Sequence, residues 1–313
     1  MKLLSPTKEN LETAAKAIKS GLLVAFPTET VYGLGADGFN PTAVAKIYEV
    51  KQRPEFQSLS LMLPDKSYIK EVAEVENEKA IYLIEKFLPG PLTLVLPKKE
   101  SVPDIVTGGK ATVGIRIPEN RIALDLLHLA GIPVAAPSAN LYGKLSPTSA
   151  EHVAEQLGES VDFIIDGGET RLGLESTIIE IVNNTFTLLR NGGIPVEEIE
   201  KAIDEKILPA QTISANKIPV LNKIKTAFID EVNLDNIERE KTGLLTFTRK
   251  NIYGKFSVVK HLSNEGNLEE AAVNLFVVLR SFEKEDIDLL LVEKIPQGGL
   301  GRAIMDRLRK ITE

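Results

Sequence analysis

The chain has no cysteine among its 313 residues. Disulfides, thiolate nucleophiles and cysteine-based metal sites are therefore excluded. Histidine is almost as scarce: His128, His152 and His261 complete the set, and none has a second histidine at ligand spacing. His152 falls on a capped helix and reads as a solvated face, while His128 falls in an apolar helix and reads as core. No apolar run approaches the roughly 20 residues of a membrane span. The opening Met1-Lys2-Leu3-Leu4-Ser5-Pro6 leads into a polar helix without the apolar centre of a signal peptide, so a cytoplasmic protein is expected. Aromatics are 5% and the net charge is −7, a poor background for nonspecific nucleic-acid binding, although a local basic groove is compatible with it.

What is present is an ordinary globular balance, 43% hydrophobic and 26% charged, in a chain long enough for two domains. A first helix opens at Thr7-Lys8-Glu9-Asn10 and repeats Leu11, Ala14, Ala15 and Ile18 at helical spacing before Gly21 ends it. Leu22–Phe26 reads as a strand buried on both faces. Asn40-Pro41 starts the next helix. Further strands are expected at Leu59–Leu63, Thr93–Leu96, Val113–Ile117, Ile132–Ala136, Phe163–Ile165, Thr177–Val182 and Phe186–Leu189, with helices at 77–87, 121–130, 148–157 and 195–203. Thr148 and Glu151 have capping-box spacing. Strands without intervening helices near 163–189 point to a mixed α/β sheet. Residues 204–223 read as an irregular linker, and a smaller α/β pattern occupies 224–313. Its strands are expected at Thr226–Ile229, Leu244–Phe247, Phe256–Val259 and Leu289–Val292, with helices near 268–282 and 301–311.

Two nucleotide motifs fit poorly. Gly33-Leu34-Gly35-Ala36-Asp37-Gly38 has dinucleotide-loop spacing, but the helix start Asn40-Pro41 lies beyond the third glycine. A tight turn leaving the strand is the better reading. Gly108-Gly109-Lys110 lacks the first glycine and the hydroxyl residue of a phosphate loop.

Cations at element ends carry more. Lys51 and Arg53 close the helix begun at Pro41, where they either cap its dipole or, on an extended exit before Pro54, share one face toward a polyphosphate. Ser138 and Asn140 follow an apolar strand, either as a turn or as donors to phosphate and ribose oxygens. Arg116 lies inside Val113-Gly114-Ile115-Arg116-Ile117 and requires a counter-charge, from a structural acid or from a ligand carboxylate. Glu175-Ser176-Thr177 and Arg190 flank strands and could each be surface.

Several stretches together resemble the threonylcarbamoyl-AMP synthase family: Phe26-Pro27-Thr28-Glu29-Thr30-Val31-Tyr32-Gly33-Leu34-Gly35, Lys51-Gln52-Arg53-Pro54, Val113 to Pro118, Pro137-Ser138-Ala139-Asn140, Glu175-Ser176-Thr177-Ile178 and Leu189-Arg190. Gly299-Leu300-Gly301-Arg302-Ala303-Ile304-Met305-Asp306-Arg307-Leu308 is similar to the extra domain of the long form. The resemblance implies an α/β fold, a YrdC-like mixed twisted sheet with helices over 1–203, a linker over 204–223, and a smaller Rossmann-like α/β domain over 224–313. It implies synthesis of threonylcarbamoyl-adenylate from L-threonine, bicarbonate and ATP, with magnesium on the nucleotide, for tRNA modification. A tRNA-modifying protein as recipient and a weak RNA contact go with it. It assigns catalysis to Lys51 and Arg53, and ATP contacts to Lys51, Arg53, Gln57, Thr112, Ser138, Asn140, Ser146 and Arg190. Threonine falls to Thr30, Met62, Arg116, Ala136 and Ser176, and no metal-ligating residue is implied.

Three departures stand out. Gln57-Ser58-Leu59 replaces the family's Asn-Pro-Leu, Met62 stands where a histidine is expected, and Ile213-Ser214-Ala215-Asn216 replaces His-Tyr-Ala-Pro in the linker. Weaker closure over substrate or a shifted substrate preference is the expectation they raise. The competing expectation is a divergent nucleotide- or RNA-binding protein of the same fold with reduced or altered catalysis.

Overall fold

The computed structural model describes residues 1–210, 221, 224–250 and 252–312. The chain runs β1 Lys2–Leu4, α1 Lys8–Lys19, β2 Val24–Phe26, β3 Gly33–Asp37, α2 Pro41–Lys51 and β4 Ser60–Met62. It continues with α3 Ile69–Val72, α4 Glu78–Phe87, β5 Leu92–Pro97, α5 Asp104–Thr107, β6 Thr112–Arg116, α6 Arg121–Ala130 and β7 Val134–Ala135. Then come α7 Ala150–Leu157, β8 Phe163–Ile165, β9 Thr177–Val182, β10 Thr185–Arg190, α8 Val196–Ile203 and β11 Leu208–Pro209. The eleven strands form one mixed sheet in the order β1-β8-β2-β3-β7-β4-β6-β5-β9-β10-β11. Leu11, Ile18, Leu126 and Leu127 from α1 and α6 are buried on one side of it, and Ile47, Leu83, Val153 and Ile199 from α2, α4, α7 and α8 on the other.

A second sheet collects β12 Lys225–Phe228, β13 Thr242–Thr246, β14 Val258–His261 and β15 Leu289–Val292, all parallel, in the order β12-β15-β13-β14. Helices α9 Leu268–Phe282 and α10 Leu300–Thr312 cover one face. This is the Rossmann-like unit expected. Its apolar cluster extends into the first unit through Val31, Leu145 and Leu174. Gly173, at φ +63°, lets the two backbones meet, since a Cβ there would lie 2.6 Å from the Ala272 carbonyl oxygen in α9.

The helix starts follow their caps. Thr7 Oγ1 accepts from the Asn10 amide at 3.3 Å, and Asn40 Oδ1 accepts from the Thr42 and Ala43 amides ahead of α2. Helix α7 differs from expectation: Ser149 caps it by accepting from the His152 amide at 3.4 Å, one residue past Thr148. Thr148 Oγ1 instead lies 3.3 Å from His152 Nδ1, so His152 is half-buried rather than solvated. His128 is exposed on α6, not core.

The larger correction concerns Gly33 to Asp37, which form β3 antiparallel to β2 rather than a turn. Glycine is needed there for packing: a Cβ on Gly35 would lie 2.7 Å from Phe26 Cε1 and 2.9 Å from Val134 Cγ1. The exit from α2 also differs. Gln52 adopts the left-handed conformation, φ 51°, and the Arg53 amide bonds back to the Tyr48 carbonyl at 2.9 Å, so Lys51 and Arg53 do not share an extended face. The linker begins as an edge strand, β11 parallel to β10, whereas Ile213 to Asn216 lie outside the described residues. No helix of the described residues is long and apolar enough to cross a membrane.

Gly35→Ala should cost about 1–3 kcal/mol through overpacking, read as a lower urea midpoint with an unchanged slope.

Candidate active site

A cleft of about 170 Å³ opens where several strand ends meet. Because β5 runs antiparallel to β6 and parallel to β9, the end of β6 and the start of β9 fall at one edge of the sheet. That brings Arg116, Ser176 and, at the end of antiparallel β10, Arg190 together. Strand β4 is three residues long, so Ser58, Ser60 and Met62, from both its ends, line the same cleft. Thr30 arrives from the loop after β2, Ala136 and Ser138 from the exit of β7, and Arg53 from the turn after α2.

Arg116 is 5% exposed and its counter-charge is Glu29. Nη2 donates to Glu29 Oε1 at 2.7 Å and to Thr30 Oγ1 at 2.8 Å. The other Glu29 oxygen accepts the Glu119 amide at 3.0 Å. Arg116 Nε is buried and has no partner among the described residues. The structural acid that Arg116 required therefore exists, and one N–H is still left for another acceptor.

Arg190 is held beside Ser176: Nε donates to the Ser176 carbonyl and Nη2 to its Oγ, both at 2.9 Å. Thr93 Oγ1 lies 2.8 Å from the same hydroxyl. Burial pushes the Arg190 guanidinium down to about 10, opposed by the Glu175 carboxylate and reinforced by Arg307, Arg116 and Arg53. Glu175 in turn receives Ser146 Oγ at 2.9 Å and Arg307 Nε at 2.7 Å. Burial raises its pKa, but Arg307 and Arg190 outweigh that and hold it at about 2.

Arg53 donates from Nη2 to the Ser58 carbonyl at 2.9 Å and sits 5.8 Å from the centre of the Tyr142 ring. Gln57 Nε2 donates to the Tyr142 hydroxyl at 2.8 Å, so Tyr142 braces both. Lys51 is 1% exposed and lies behind the cleft. Its Nζ donates to the Ser138 carbonyl at 2.6 Å and to the Asn140 carbonyl, tying down the loop that presents Ser138. Burial, then Arg53, pushes the Lys51 ammonium well below its ordinary range. Asn140 bonds through Nδ2 to the Leu141 and Lys144 carbonyls, and its buried Oδ1 has no partner among the described residues. Thr112 opens β6 opposite Pro97.

Of the residues singled out from sequence, Thr30, Arg53, Met62, Arg116, Ala136, Ser138, Ser176 and Arg190 line the cleft. Lys51, Gln57, Thr112, Asn140 and Ser146 are not part of that lining. Cationic guanidiniums beside hydroxyls and two carboxylates suit binding of an anion next to a zwitterion.

Comparison with known proteins decides the family. Residues 16–192 match a family described as "Telomere recombination", and residues 210–311 match one described as "Threonylcarbamoyl-AMP synthase, C-terminal domain". A threonylcarbamoyl-AMP synthase from Pyrococcus abyssi is 42% identical over 96% of this chain and 93% of its own length. One from Bacillus subtilis is 38% identical over 98% and 94%. The chain belongs to the threonylcarbamoyl-AMP synthase family. A crystal structure of a P. abyssi protein complexed with L-threonine superposes with TM-score 0.89 at 38% identity, covering all of this chain and 98% of the other.

As a member of this family of nucleotidyltransferase-type enzymes, the chain has the long, two-part organisation. Two acids of its site were given no role by the sequence reading. Glu29 was signalled by Arg116, which demanded a buried acid. Glu175 carried no such signal, because its partner Arg307 lies 132 residues away.

Glu29→Ala should leave Arg116 buried and uncompensated, at a cost of about 3–5 kcal/mol, measured by chemical denaturation. Glu175, held at about 2 against an ordinary 4.5, contributes stability that is complete above pH 4.5 and lost as pH falls toward 2. Glu175→Gln should flatten that acid limb of the stability profile.

Proposed function

We propose that this cleft joins L-threonine, bicarbonate and ATP into threonylcarbamoyl-adenylate and pyrophosphate. The observation that carries the reading is the convergence of Arg53, Arg116 and Arg190 with Thr30, Ser138 and Ser176 on one cleft. The threonine amine and bicarbonate condense to a carbamate with loss of water. A carbamate oxygen then attacks the α-phosphorus in line, and the bond to pyrophosphate breaks. Both partners are anions, so the step needs cations that bring them together and spread phosphoryl charge more than it needs a general base.

Arg116 suits the threonine carboxylate: Glu29 and Thr30 fix its plane through Nη2, and its buried Nε lacks a partner among the described residues. The L-threonine complex of the P. abyssi relative supports that substrate. Arg53 and Arg190 suit the polyphosphate, with the Ser138 and Ser176 hydroxyls beside it. Lys51 acts through the Ser138 to Asn140 loop that it ties down. Magnesium would be carried by ATP rather than by this chain, and would supply further positive charge against the polyphosphate. The reading extends to a cytoplasmic enzyme whose product passes to a tRNA-modifying protein, with at most a weak RNA contact of its own.

Met62 favours a second, narrower reading. An apolar thioether in the cleft wall favours looser closure around threonine, or a different amine.

The test is incorporation of labelled bicarbonate into a threonine-dependent adenylate, with pyrophosphate released. Arg53→Ala should lower kcat/KM for ATP by about 100-fold or more, and Lys51→Ala should lose most turnover while its fold persists by circular dichroism. Unchanged rates in both would remove the site assignment. Turnover that never requires threonine would remove the reaction.

A further inference from the structure

Helix α10 reaches from the second sheet and grips the two residues that flank the Ser176–Arg190 pair. Glu175 stands one position before Ser176, and Arg307 Nε donates to its Oε2 at 2.7 Å. Asn191 stands one position after Arg190. Its Nδ2 donates to Asp306 Oδ2 at 2.7 Å, and its carbonyl accepts from Arg307 Nη2 at 3.4 Å. The Arg307 and Glu175 side chains are only 8% and 15% exposed. Two consecutive residues of one helix thus hold the neighbours of a cleft hydroxyl and a cleft guanidinium, Glu175 by its side chain and Asn191 by its side chain and carbonyl.

Glu175 itself lines the cleft, and Arg190 is the next cation whose charge acts on it after Arg307. A carboxylate this buried cannot stay unmatched without large cost. Without Arg307 the cations left near it are Lys310 and Arg190, the latter with its Nη2 on the neutral hydroxyl of Ser176. A charged acceptor outcompetes a neutral one for a guanidinium. We infer that Arg307 is a positioning residue: by holding Glu175 in a buried ion pair across the two sheets, it keeps Arg190 on Ser176 and aimed into the cleft. The inference rests on the reading that ATP and threonine occupy this cleft. It gives the second sheet a part in the reaction through one contact, without any group of its own touching substrate.

The experiment uses the full-length chain and three variants: Arg307→Met, Arg307→Lys, and Arg307→Met combined with Glu175→Gln. Threonine-dependent pyrophosphate release should show KM for ATP raised about tenfold or more in Arg307→Met, with kcat falling less. The double variant should recover most of that loss, because the carboxylate that would seize Arg190 is gone, and Arg307→Lys should recover part of it. A merely structural role for Arg307 predicts a loss of stability that the double variant relieves, with KM for ATP unmoved throughout. A double variant no better than Arg307→Met would overturn the inference, as would an unchanged KM in the single variant. If Arg307→Met does not fold, the lysine and double variants decide, with the double expected nearer wild type than the lysine variant; the reverse order would overturn the inference. A crystal structure of Arg307→Met, which leaves no cation at that position, reads the same point without turnover. Arg190 moved onto Glu175 supports the inference, and Arg190 still on Ser176 overturns it. That readout also separates the two claims: a wild-type chain that makes no adenylate sinks the reaction, while the position of Arg190 still judges Arg307.

Discussion

Positive charge partly withdrawn from water, next to an open cleft, is the constraint on which the rest of the structure depends. Arg53, Arg116 and Arg190 face one cavity, and a guanidinium stays charged whatever its surroundings. Each must then find acceptors that keep it ionised without filling its whole fork. Glu29 does this for Arg116, the Ser58 carbonyl for Arg53, and the Ser176 carbonyl and hydroxyl for Arg190. Charge remains in excess over the two carboxylates, Glu29 and Glu175. On the proposed reading an incoming polyphosphate would meet cations already oriented, with little reorganisation left for the moment of reaction.

The sheet makes that arrangement by topology rather than by local sequence. Mixed strand directions place the end of β6, the start of β9 and the end of β10 side by side, so residues 116, 176 and 190 become neighbours. The shortness of β4 lets both of its ends contribute. Glycine matters in the same way: Gly35 admits Phe26 and Val134 against β3, which keeps the loop carrying Thr30 close to the exit of β7. Lys51 reinforces the other side of the cleft from behind, its ammonium drawing in the carbonyls of Ser138 and Asn140.

The second sheet is more than an appendage. Its apolar cluster incorporates Val31, Leu145 and Leu174, and Gly173 permits backbone contact with α9. The Arg307–Glu175 pair sits at this seam, between apolar packing on one side and the cleft on the other. Family membership and a shared overall shape carry the enzyme class. How the seam bears on the cleft is a property of this chain's own side chains.

Much was legible in the sequence because it was local. Periodicity and caps located α1, α2, α6 and α9 closely, and a lone arginine within an apolar strand announced a buried charge pair. Order and spacing of short motifs were enough to indicate the family, including its second unit. Other features escaped for identifiable reasons. Gly33 to Asp37 looks like a turn because glycine lowers strand propensity, yet close packing between strands required it. Gln52 turns left-handed because helix termination, not Pro54 alone, sets the exit from α2. Glu175 looks like surface until α10 is placed against it. By itself, then, the sequence determined the elements, the family and the types of charged group available, since propensity, patterning and motif spacing are properties of neighbouring residues. Only the tertiary structure decided which cations share the cleft and which acids hold them, because Coulomb energy and desolvation depend on distances that chain separation does not encode.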